Sequence, residues 1–291
     1  MKPAPFRYVA AESLGQALNA KVAGGSDALF LAGGQSLVPA MNFRLARPAL
    51  LIDINPLHEL DFVRVGGDGG LRIGALVRHR TLERDGLVAQ HAPLVAEAIR
   101  HVAHPQIRNR GTLGGNLAHA DPASELPAVM LALGARFRAR SSRGERWIDA
   151  PAFFRGPLTT GLGPEEMLVE VALPALPSRS GTCFVEVARR RGDYALVGVA
   201  AVVTLGSDGA CTNAGLALCN AGATPVRATK AAAALVGRRV GEREIRDAAA
   251  MAASEIDPPA NIHATAAFRR HLAAVLTQRA LETALARAQG R

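Results

Sequence analysis

The chain has 291 residues, of which 49% are hydrophobic and 20% are charged, and its formal net charge is +9. This length is sufficient for roughly two domains with buried cores. Without a run of about 18 apolar residues or a basic-then-apolar leader, the sequence predicts a cytoplasmic protein with no membrane span. Only 4% of the residues are aromatic and the 34 Lys and Arg residues are scattered, which argues against nucleic-acid binding. The excess of basic over acidic residues fits a surface that binds an anionic ligand and an acidic partner.

Metal binding is not indicated by the sequence. The cysteines lie far apart without metal spacing, and we expect them to be buried as small hydrophobic residues: Cys183, Cys211 and Cys219. They are too few for the usual ligation of an iron–sulfur cluster. His101, His104 and His119 are the other candidate ligands, but Pro105 breaks the helix that the first two would share.

The first part of the chain alternates strands and helices. The apolar pattern predicts a strand over 6–9, a helix over 12–22, a strand over 28–32, a helix over 37–43 and a strand over 49–54. The glycine cluster at 24–27 ends the first helix, and Ser36 is placed to cap the second. This alternation indicates a small βαβ unit with parallel strands.

The middle of the chain is richer in strands. The runs 62–65 and 71–73 flank Gly66-Gly67-Asp68-Gly69-Gly70, whose turn chemistry predicts a hairpin. Helices are predicted over 81–85 and 94–101, and a third with Asp121 as its N-cap and Gly134 at its end. Strands over 136–140, 146–148 and 167–173 follow, and Phe153 and Phe154 are expected in the core.

A domain boundary is indicated by Pro174, Pro177 and Ser178. Beyond it, strand-like runs over 182–187, 197–205 and 211–219 are joined by turns, and helices are predicted over 228–235, 242–253 and 264–288. We expect an antiparallel sheet covered by helices.

Two glycine-rich segments about eighty residues apart carry the strongest functional signal. They are Ala32-Gly33-Gly34-Gln35-Ser36-Leu37 and Arg108-Asn109-Arg110-Gly111-Thr112-Leu113-Gly114-Gly115-Asn116-Leu117-Ala118-His119-Ala120-Asp121. Glycine lets the backbone approach a ligand, and successive amide groups form anion sites. Neither segment has the Gly-x-Gly-x-x-Gly spacing of a Rossmann site or the Gly-Lys-Ser/Thr ending of the Walker motif. The sequence also lacks the motifs of hydrolase active sites. The pattern predicts two backbone cradles for a ligand with two phosphates.

Two further segments complete the pattern: His104-Pro105-Gln106-Ile107-Arg108-Asn109 and Arg190-Arg191-Gly192-Asp193-Tyr194-Ala195. Together the four segments resemble the FAD-binding medium subunit of molybdenum hydroxylases, the group of carbon monoxide dehydrogenase, xanthine dehydrogenase and bacterial N-heterocycle dehydrogenases. The resemblance covers essentially the whole chain. It implies an α+β fold, in which a two-subdomain FAD-binding domain of the vanillyl-alcohol-oxidase/PCMH type precedes a C-terminal domain with a three-stranded antiparallel sheet and helices. The implied boundaries are 1–176 for the first domain, with subdomains of about 1–57 and 58–176, and 177–291 for the second.

The resemblance also implies which residues bind FAD. The second glycine segment would lie along the pyrophosphate and ribityl chain, and Tyr194 would lie near the flavin ring; the alternative for Tyr194 is a turn residue packed between the domains. No residue would act as a catalytic acid, a base or a metal ligand. The implied set is Ala32, Gly33, Gly34, Gln35, Ser36, Leu37, Thr112, Gly114, Gly115, Asn116, Ala118, His119, Asp121, Glu125, Leu168, Asp193 and Tyr194. Because Gly114 would give access to the pyrophosphate, Gly114→Val is expected to remove FAD and leave the fold intact.

This chain departs from the family pattern at three positions. Gln35 stands where the carbon monoxide enzyme has histidine, which argues against that substrate. Glu125 stands where the family usually has aspartate, so a carboxylate is kept on a longer side chain. Glu186 stands near the place of a common lysine, which alters any tuning of the flavin by charge.

The function implied is that of an electron-transfer subunit of a heterotrimeric molybdenum hydroxylase. A small partner subunit with [2Fe–2S] clusters would pass single electrons from a molybdopterin large subunit to the FAD, and NAD, a quinone or oxygen would accept them. The expected assembly is a dimer of heterotrimers. The alternatives are a stand-alone flavin or nucleotide-binding module and a self-contained FAD oxidase, for which the domain from residue 177 is small.

Overall fold

The computed structural model describes residues 2–290. Its first layer is a parallel sheet of three strands in the order β1-β3-β2, with helices between the strands. The elements are β1 (Arg7–Ala10), α1 (Leu14–Gly24), β2 (Ala28–Leu31), α2 (Leu37–Asn42) and β3 (Leu50–Asp53). The predicted βαβ unit is confirmed.

Helix α1 begins later than the periodicity predicts because Ser13 is its N-cap. The hydroxyl of Ser13 accepts a hydrogen bond from the backbone N of Gln16 at 3.2 Å. The helix ends at Gly24, and Gly25 follows with φ of 58°, a conformation that glycine adopts without strain. The glycine cluster therefore ends this helix as predicted.

The middle of the chain forms the second layer. Its elements in chain order are β4 (Val63–Val65), β5 (Leu71–Gly74), α3 (His79–Arg84), α4 (Gly86–His91), α5 (Pro93–Ala98), α6 (Pro105–Arg108), α7 (Leu113–His119), α8 (Glu125–Leu133), β6 (Arg136–Ser141), β7 (Gly144–Asp149), α9 (Ala150–Phe153), β8 (Phe154–Gly156), β9 (Thr159–Thr160) and β10 (Met167–Leu173). An antiparallel five-stranded sheet has the order β4-β5-β10-β6-β7, and β8 pairs with β9. Phe153 and Phe154 are buried against it, as predicted.

Two local predictions in this layer have different outcomes. The hairpin at 66–70 is confirmed, because the backbone N of Gly66 donates to the carbonyl of Gly70 at 2.7 Å. The predicted N-cap of α8 is wrong, because Oδ1 of Asp121 accepts from the backbone N of Ala123 at 2.9 Å within a turn. The helix begins at Glu125 after this turn, and it ends at Gly134 as predicted.

The last part of the chain forms the third layer. Its elements are β11 (Ser180–Ala188), β12 (Ala195–Leu205), β13 (Cys211–Cys219), β14 (Val226–Arg227), α10 (Thr229–Ala233), α11 (Glu242–Ser254) and α12 (Ala266–Ala288). The antiparallel sheet has the order β11-β12-β13-β14. The three predicted long strands are confirmed, and the two-residue strand β14 extends the sheet at its edge.

The two faces of this third sheet belong to different cores. Alternate side chains, among them Phe184 and Cys219, pack into the core that contains α5 and α8. The intervening side chains, among them Cys183 and Leu218, pack beneath α11 and α12. This alternation follows the two-residue period of a strand, and it places the third sheet directly behind α8.

All three cysteines are buried and free, as predicted. From residue 2 to residue 290, no group of three or more His, Cys, Asp or Glu side chains is arranged to hold a metal ion. Within the same range, no helix combines the length and the apolar character needed to cross a lipid bilayer.

Candidate functional site

The two glycine segments pack directly against each other. The first connects β2 to α2, and the second leads from α6 into α7. A side chain at Gly33 would overlap the carbonyl oxygen of Arg110 and would lie 2.8 Å from the Cα of Gly111. Gly33 is therefore required for the contact between the segments, since any other residue would push them apart.

A hydrogen-bonded bridge also connects the two segments. Nδ2 of Asn55, just after β3, donates to the carbonyl of Ala32 at 2.9 Å. Oδ1 of Asn55 accepts from Nη2 of Arg78 at 2.6 Å, and Nη1 of Arg78 donates to the carbonyl of Arg110 at 2.6 Å. The sequence analysis missed Asn55 and Arg78, because neither lies in a glycine motif.

Helix α7 begins beside the first segment. Oγ1 of Thr112 accepts from the backbone N of Gly115 at 3.1 Å and caps the helix. Gly115 is exposed, and a Cβ at this position would lie 3.8 Å from the Cβ of Ala32. The capped turn and the first glycine segment therefore border the same open space.

The predicted cap at Ser36 is wrong. Ser36 has a right-handed helical backbone conformation, and its side chain forms no capping hydrogen bond. The backbone N of Val38 instead donates to the carbonyl of Gly34 at 3.0 Å, and Gly34 has φ of 72°. The first glycine segment thus supplies the acceptor that a serine cap would otherwise provide.

Gly114 has a structural role that differs from the prediction. A Cβ at Gly114 would lie 2.5 Å from the Cβ of Ala75 and 2.8 Å from its carbonyl oxygen. The backbone N of Gly114 donates to that same carbonyl at 2.8 Å. The expectation that Gly114→Val spares the fold is therefore wrong, because valine would force α7 away from the strand end.

A cavity of about 550 Å³ opens where the two segments meet. Ligand sites for small molecules typically have volumes of roughly 300–1,000 Å³. Apolar side chains form much of the wall, including Phe30, Ile54, Leu76, Val102 and Ile107. Backbone amides and short polar side chains of the glycine segments form the rest, so the cavity has one polar region and one apolar region.

The structure brings the predicted site residues together, with one exception. The cavity is lined by Ala32, Gly33, Gly34, Gln35, Ser36, Leu37, Thr112, Gly114, Gly115, Asn116, Ala118, His119, Glu125, Leu168, Asp193 and Tyr194. Asp121 does not line it, and its carboxylate lies beside Tyr194 instead. Residues from four distant parts of the chain thus converge on one space.

His79 supports the second segment, lines the same cavity and was not predicted. Its side chain is 4% exposed, and its Nε2 donates to the carbonyl of Thr112 at 2.9 Å. Nδ1 has no hydrogen-bond partner among residues 2–290. Burial lowers the pKa of His79 to about 4, so the ring is neutral near pH 7.

Tyr194 lies at the mouth of the cavity and is 60% exposed. Desolvation of its hydroxyl and the nearby Asp121 carboxylate raise the pKa of Tyr194 to about 12, so the phenol keeps its proton. The next residue, Ala195, is held by Asn220, whose Nδ2 donates to its carbonyl at 2.6 Å. The backbone N of Asn220 also donates to the carbonyl of Pro122 at 2.7 Å, so Asn220 connects the residue after Tyr194 to the turn that precedes α8.

The turn that carries Tyr194 rests on another wall segment. A Cβ at Gly192 would lie 2.5 Å from Cε1 of His104, so the turn and this ring are in close contact. Ala103 has φ of 48°, an uncommon conformation for alanine. Nη1 of Arg108 donates to the carbonyls of Val102 at 3.0 Å and Ala103 at 2.8 Å, which holds this strained segment in place.

Glu125 is a buried carboxyl group on the cavity wall. The residue is 3% exposed and is the first residue of α8. Burial, with added repulsion from Glu186 and Asp121, raises the pKa of Glu125 to about 8. The side chain is therefore mainly protonated near pH 7 and can donate a hydrogen bond into the cavity.

The residues present fit a dinucleotide such as FAD. The tight contact at Gly33 leaves a backbone cradle beside the N-terminus of α7, which suits a pyrophosphate. The apolar walls suit aromatic rings, and Tyr194 offers a flat side chain at the mouth. Ala32, Gly33, Thr112 and Gly115 would hold the pyrophosphate side, and Tyr194 would lie on the ring side.

Comparisons with known proteins agree with this geometry. Residues 4–176 match the family profile described as "FAD binding domain in molybdopterin dehydrogenase". Residues 182–284 match that of the "CO dehydrogenase flavoprotein C-terminal domain". The chain therefore belongs to the FAD-binding subunit family of the molybdopterin dehydrogenases, as the sequence resemblance predicted, and FAD is its cofactor.

Its relatives are subunits of larger oxidoreductases. The 6-hydroxypseudooxynicotine dehydrogenase complex subunit alpha of Paenarthrobacter nicotinovorans is 43% identical over 99% of this chain and 97% of the relative. The caffeine dehydrogenase subunit beta of a Pseudomonas species is 43% identical over 98% of this chain and 96% of the relative. A solved structure of carbon monoxide dehydrogenase from Hydrogenophaga pseudoflava has 37% identity and a TM-score of 0.96, and it covers 99% of each chain. The predicted oxidoreductase class and fold class are confirmed.

Proposed function

We propose that this chain is the electron-transfer subunit of a heterotrimeric molybdenum hydroxylase. Residues 1–176 would carry most of the FAD site, and the domain from residue 177 would contribute Asp193 and Tyr194 to the ring side. An iron–sulfur small subunit would deliver electrons from a molybdopterin large subunit. The names of two relatives, a dehydrogenase complex subunit alpha and a carbon monoxide dehydrogenase medium chain, support the presence of partner subunits. NAD, a quinone or oxygen would receive them from the flavin.

The observation that carries this proposal is the contact between the two glycine segments. It builds a polar cradle from backbone alone, and the cavity beyond it reaches Tyr194. The family profile assigns FAD to this chain, and the bound FAD would supply the redox chemistry. The protein residues bind the cofactor, orient it and control its access to water.

The test compares two glycine substitutions. Gly33→Ala places a methyl group against the Arg110 carbonyl, so we expect loss of FAD binding at micromolar concentrations. Gly67→Ala is the matched control, because a Cβ there meets no atom within 4 Å. Equal FAD retention in both variants, with unchanged circular dichroism, would contradict the placement of the site.

Partner subunits distinguish this proposal from a stand-alone flavin module. The proposal predicts that the FAD-loaded chain is reduced by a co-purified iron–sulfur subunit and cannot oxidise an organic substrate alone. Tagged purification from the source cells, with metal analysis for iron and molybdenum, measures this directly. A chain that purifies without either metal and without a partner would favour the stand-alone module.

A further inference from the structure

A second carboxyl group, that of Glu186, lies near enough to Glu125 to raise its pKa and does not line the cavity. Glu186 is on β11, and its side chain points to the same sheet face as Phe184, towards the core that contains α8. The side chain of Glu186 is 6% exposed, and its Oε2 has no hydrogen-bond partner within residues 2–290. An unpartnered carboxylate oxygen at such depth is costly and calls for a functional explanation.

Gly198 leaves the space in which this group sits. It pairs with Glu186 across β11 and β12 and with Cys219 across β12 and β13. A Cβ at Gly198 would lie 2.7 Å from Sγ of Cys219 and 3.4 Å from Cβ of Glu186. The absence of a side chain at Gly198 therefore lets Cys219, Phe184 and Glu186 pack closely over this position of the sheet.

The outer end of Glu186 reaches the surface through a histidine. Nδ1 of His101, which follows α5, lies 3.2 Å from Oε1 of Glu186. The imidazole packs edge-on against Phe184 with ring centroids 5.3 Å apart, and its side chain is 38% exposed. A titratable ring thus connects the buried carboxylate to solvent.

The groups that face Glu125 are mainly acidic. Glu186 and Asp121 both raise the pKa of Glu125, and Glu125 and Glu186 both raise that of the buried Cys219 thiol. Tyr194 is the neighbour of Glu125 on the cavity side. The charge of Glu125 contributes to the raised pKa of Tyr194. Repulsion from the Glu186 carboxylate therefore adds to burial in keeping the Glu125 carboxyl group protonated.

We propose that Glu125, Glu186 and His101 form a proton-transfer route between the cofactor cavity and the solvent. The route rests on the proposed function, because the two-electron reduction of a flavin also consumes protons. Glu125 gives up its carboxyl proton as its O–H bond breaks and an N–H bond forms on the ring, while electrons arrive from a one-electron iron–sulfur donor. Glu186 and His101 then return a proton from solvent to the Glu125 carboxylate.

The test uses the FAD-loaded chain and a chemical reductant, so no partner subunit is needed. Flavin absorbance follows reduction by dithionite, in light and heavy water, over a range of pH. We expect Glu125→Gln to slow reduction roughly 100-fold or more, the low end of the range for loss of a general acid. The same substitution should remove a protonated-carboxyl band from the infrared difference spectrum of reduction.

His101→Gln tests the outer end of the route at a partly exposed residue. We expect slower reduction in this variant, an increased solvent isotope effect, and restoration of the rate by added imidazole. Glu12→Gln is the control, because Glu12 is an exposed carboxyl group remote in sequence from the route. Rates, isotope effects and infrared bands that match the wild-type chain in both route variants would overturn the proposal.

Bound FAD is measured first, which separates the two proposals. A chain that binds no FAD contradicts the proposed function itself. A chain that binds stoichiometric FAD but shows no effect of Glu125→Gln contradicts only the proton route.

Discussion

Arg78 and Asn55 form a hydrogen bond of 2.6 Å that connects the two glycine segments. Through it, the carbonyls of Ala32 and Arg110 are fixed relative to each other, although they lie far apart in sequence. Asn55 and Arg78 thus fix the shape of the cofactor cradle, although neither residue belongs to a glycine segment. This arrangement explains why the segments can remain short and rich in glycine and still hold a defined shape.

Removing either partner of this bond should weaken FAD binding. A hydrogen bond to a charged group contributes about 1.5–3 kcal/mol, so Asn55→Ala or Arg78→Ala should lower affinity roughly 10-fold or more. The double variant should lose little beyond either single variant, because the bridge acts as one unit. FAD titration followed by flavin fluorescence measures this, with Arg72→Ala on the remote hairpin as the control. Additive losses would show that the two residues act separately.

Asn220 should control the mobility of the turn that carries Tyr194. Asn220→Gly keeps the left-handed backbone conformation but removes the hydrogen bond to Ala195. We expect trypsin to cleave the exposed Arg189–Arg191 run several-fold faster in this variant. Cleavage after the exposed Arg143 in the same digest serves as the internal control. Unchanged cleavage at the run would mean that the turn is held by other contacts.

His79 should make the chain acid-sensitive. Its pKa falls from 6.5 to about 4 on folding, so the unfolded state binds the additional proton between these values. Stability should therefore decrease as pH falls from 6.5 to 4, by up to about 3 kcal/mol. Urea unfolding across this range, with and without His79→Gln, measures the effect, and the variant should show a shallower pH dependence. An equal slope in both proteins would refute the assignment to His79.

Glu125 should have the opposite effect on stability, which should decrease as pH rises. Its pKa rises from 4.5 to about 8 on folding, so the unfolded state loses its proton first as pH increases. The contribution of Glu125 to the free energy of unfolding is therefore fully present below pH 4.5. It decreases as pH rises towards 8, by at most about 5 kcal/mol. Glu125→Gln, which cannot ionise, should be more stable than the wild-type chain at pH 8. A less stable glutamine variant at that pH would contradict the assignment.

The sequence predicted the elements well where local chemistry decides them. Strands β10 and β13 were predicted with their observed boundaries, since these strand-like runs end at a proline and at turn residues. The hairpin at 66–70 was predicted correctly from its glycine-rich turn. The cap predictions at Ser36 and Asp121 were wrong, because a carbonyl of Gly34 and a local turn satisfy those backbone and side-chain groups instead.

The candidate site could be predicted only in part. The glycine segments marked where backbone comes close to a ligand, but not that Gly33 serves contact with Arg110 or that Gly114 packs on Ala75. His79, Asn55, Arg78 and Asn220 act through tertiary hydrogen bonds that no local pattern encodes. Their identification required the fold.

The central claim is tested most directly by the visible absorption spectrum of the purified chain titrated with FAD. We expect a flavin spectrum perturbed by the apolar cavity and saturation at one FAD per chain. A chain that is correctly folded by circular dichroism but leaves FAD free at micromolar concentrations would contradict the account of the cradle between the two glycine segments.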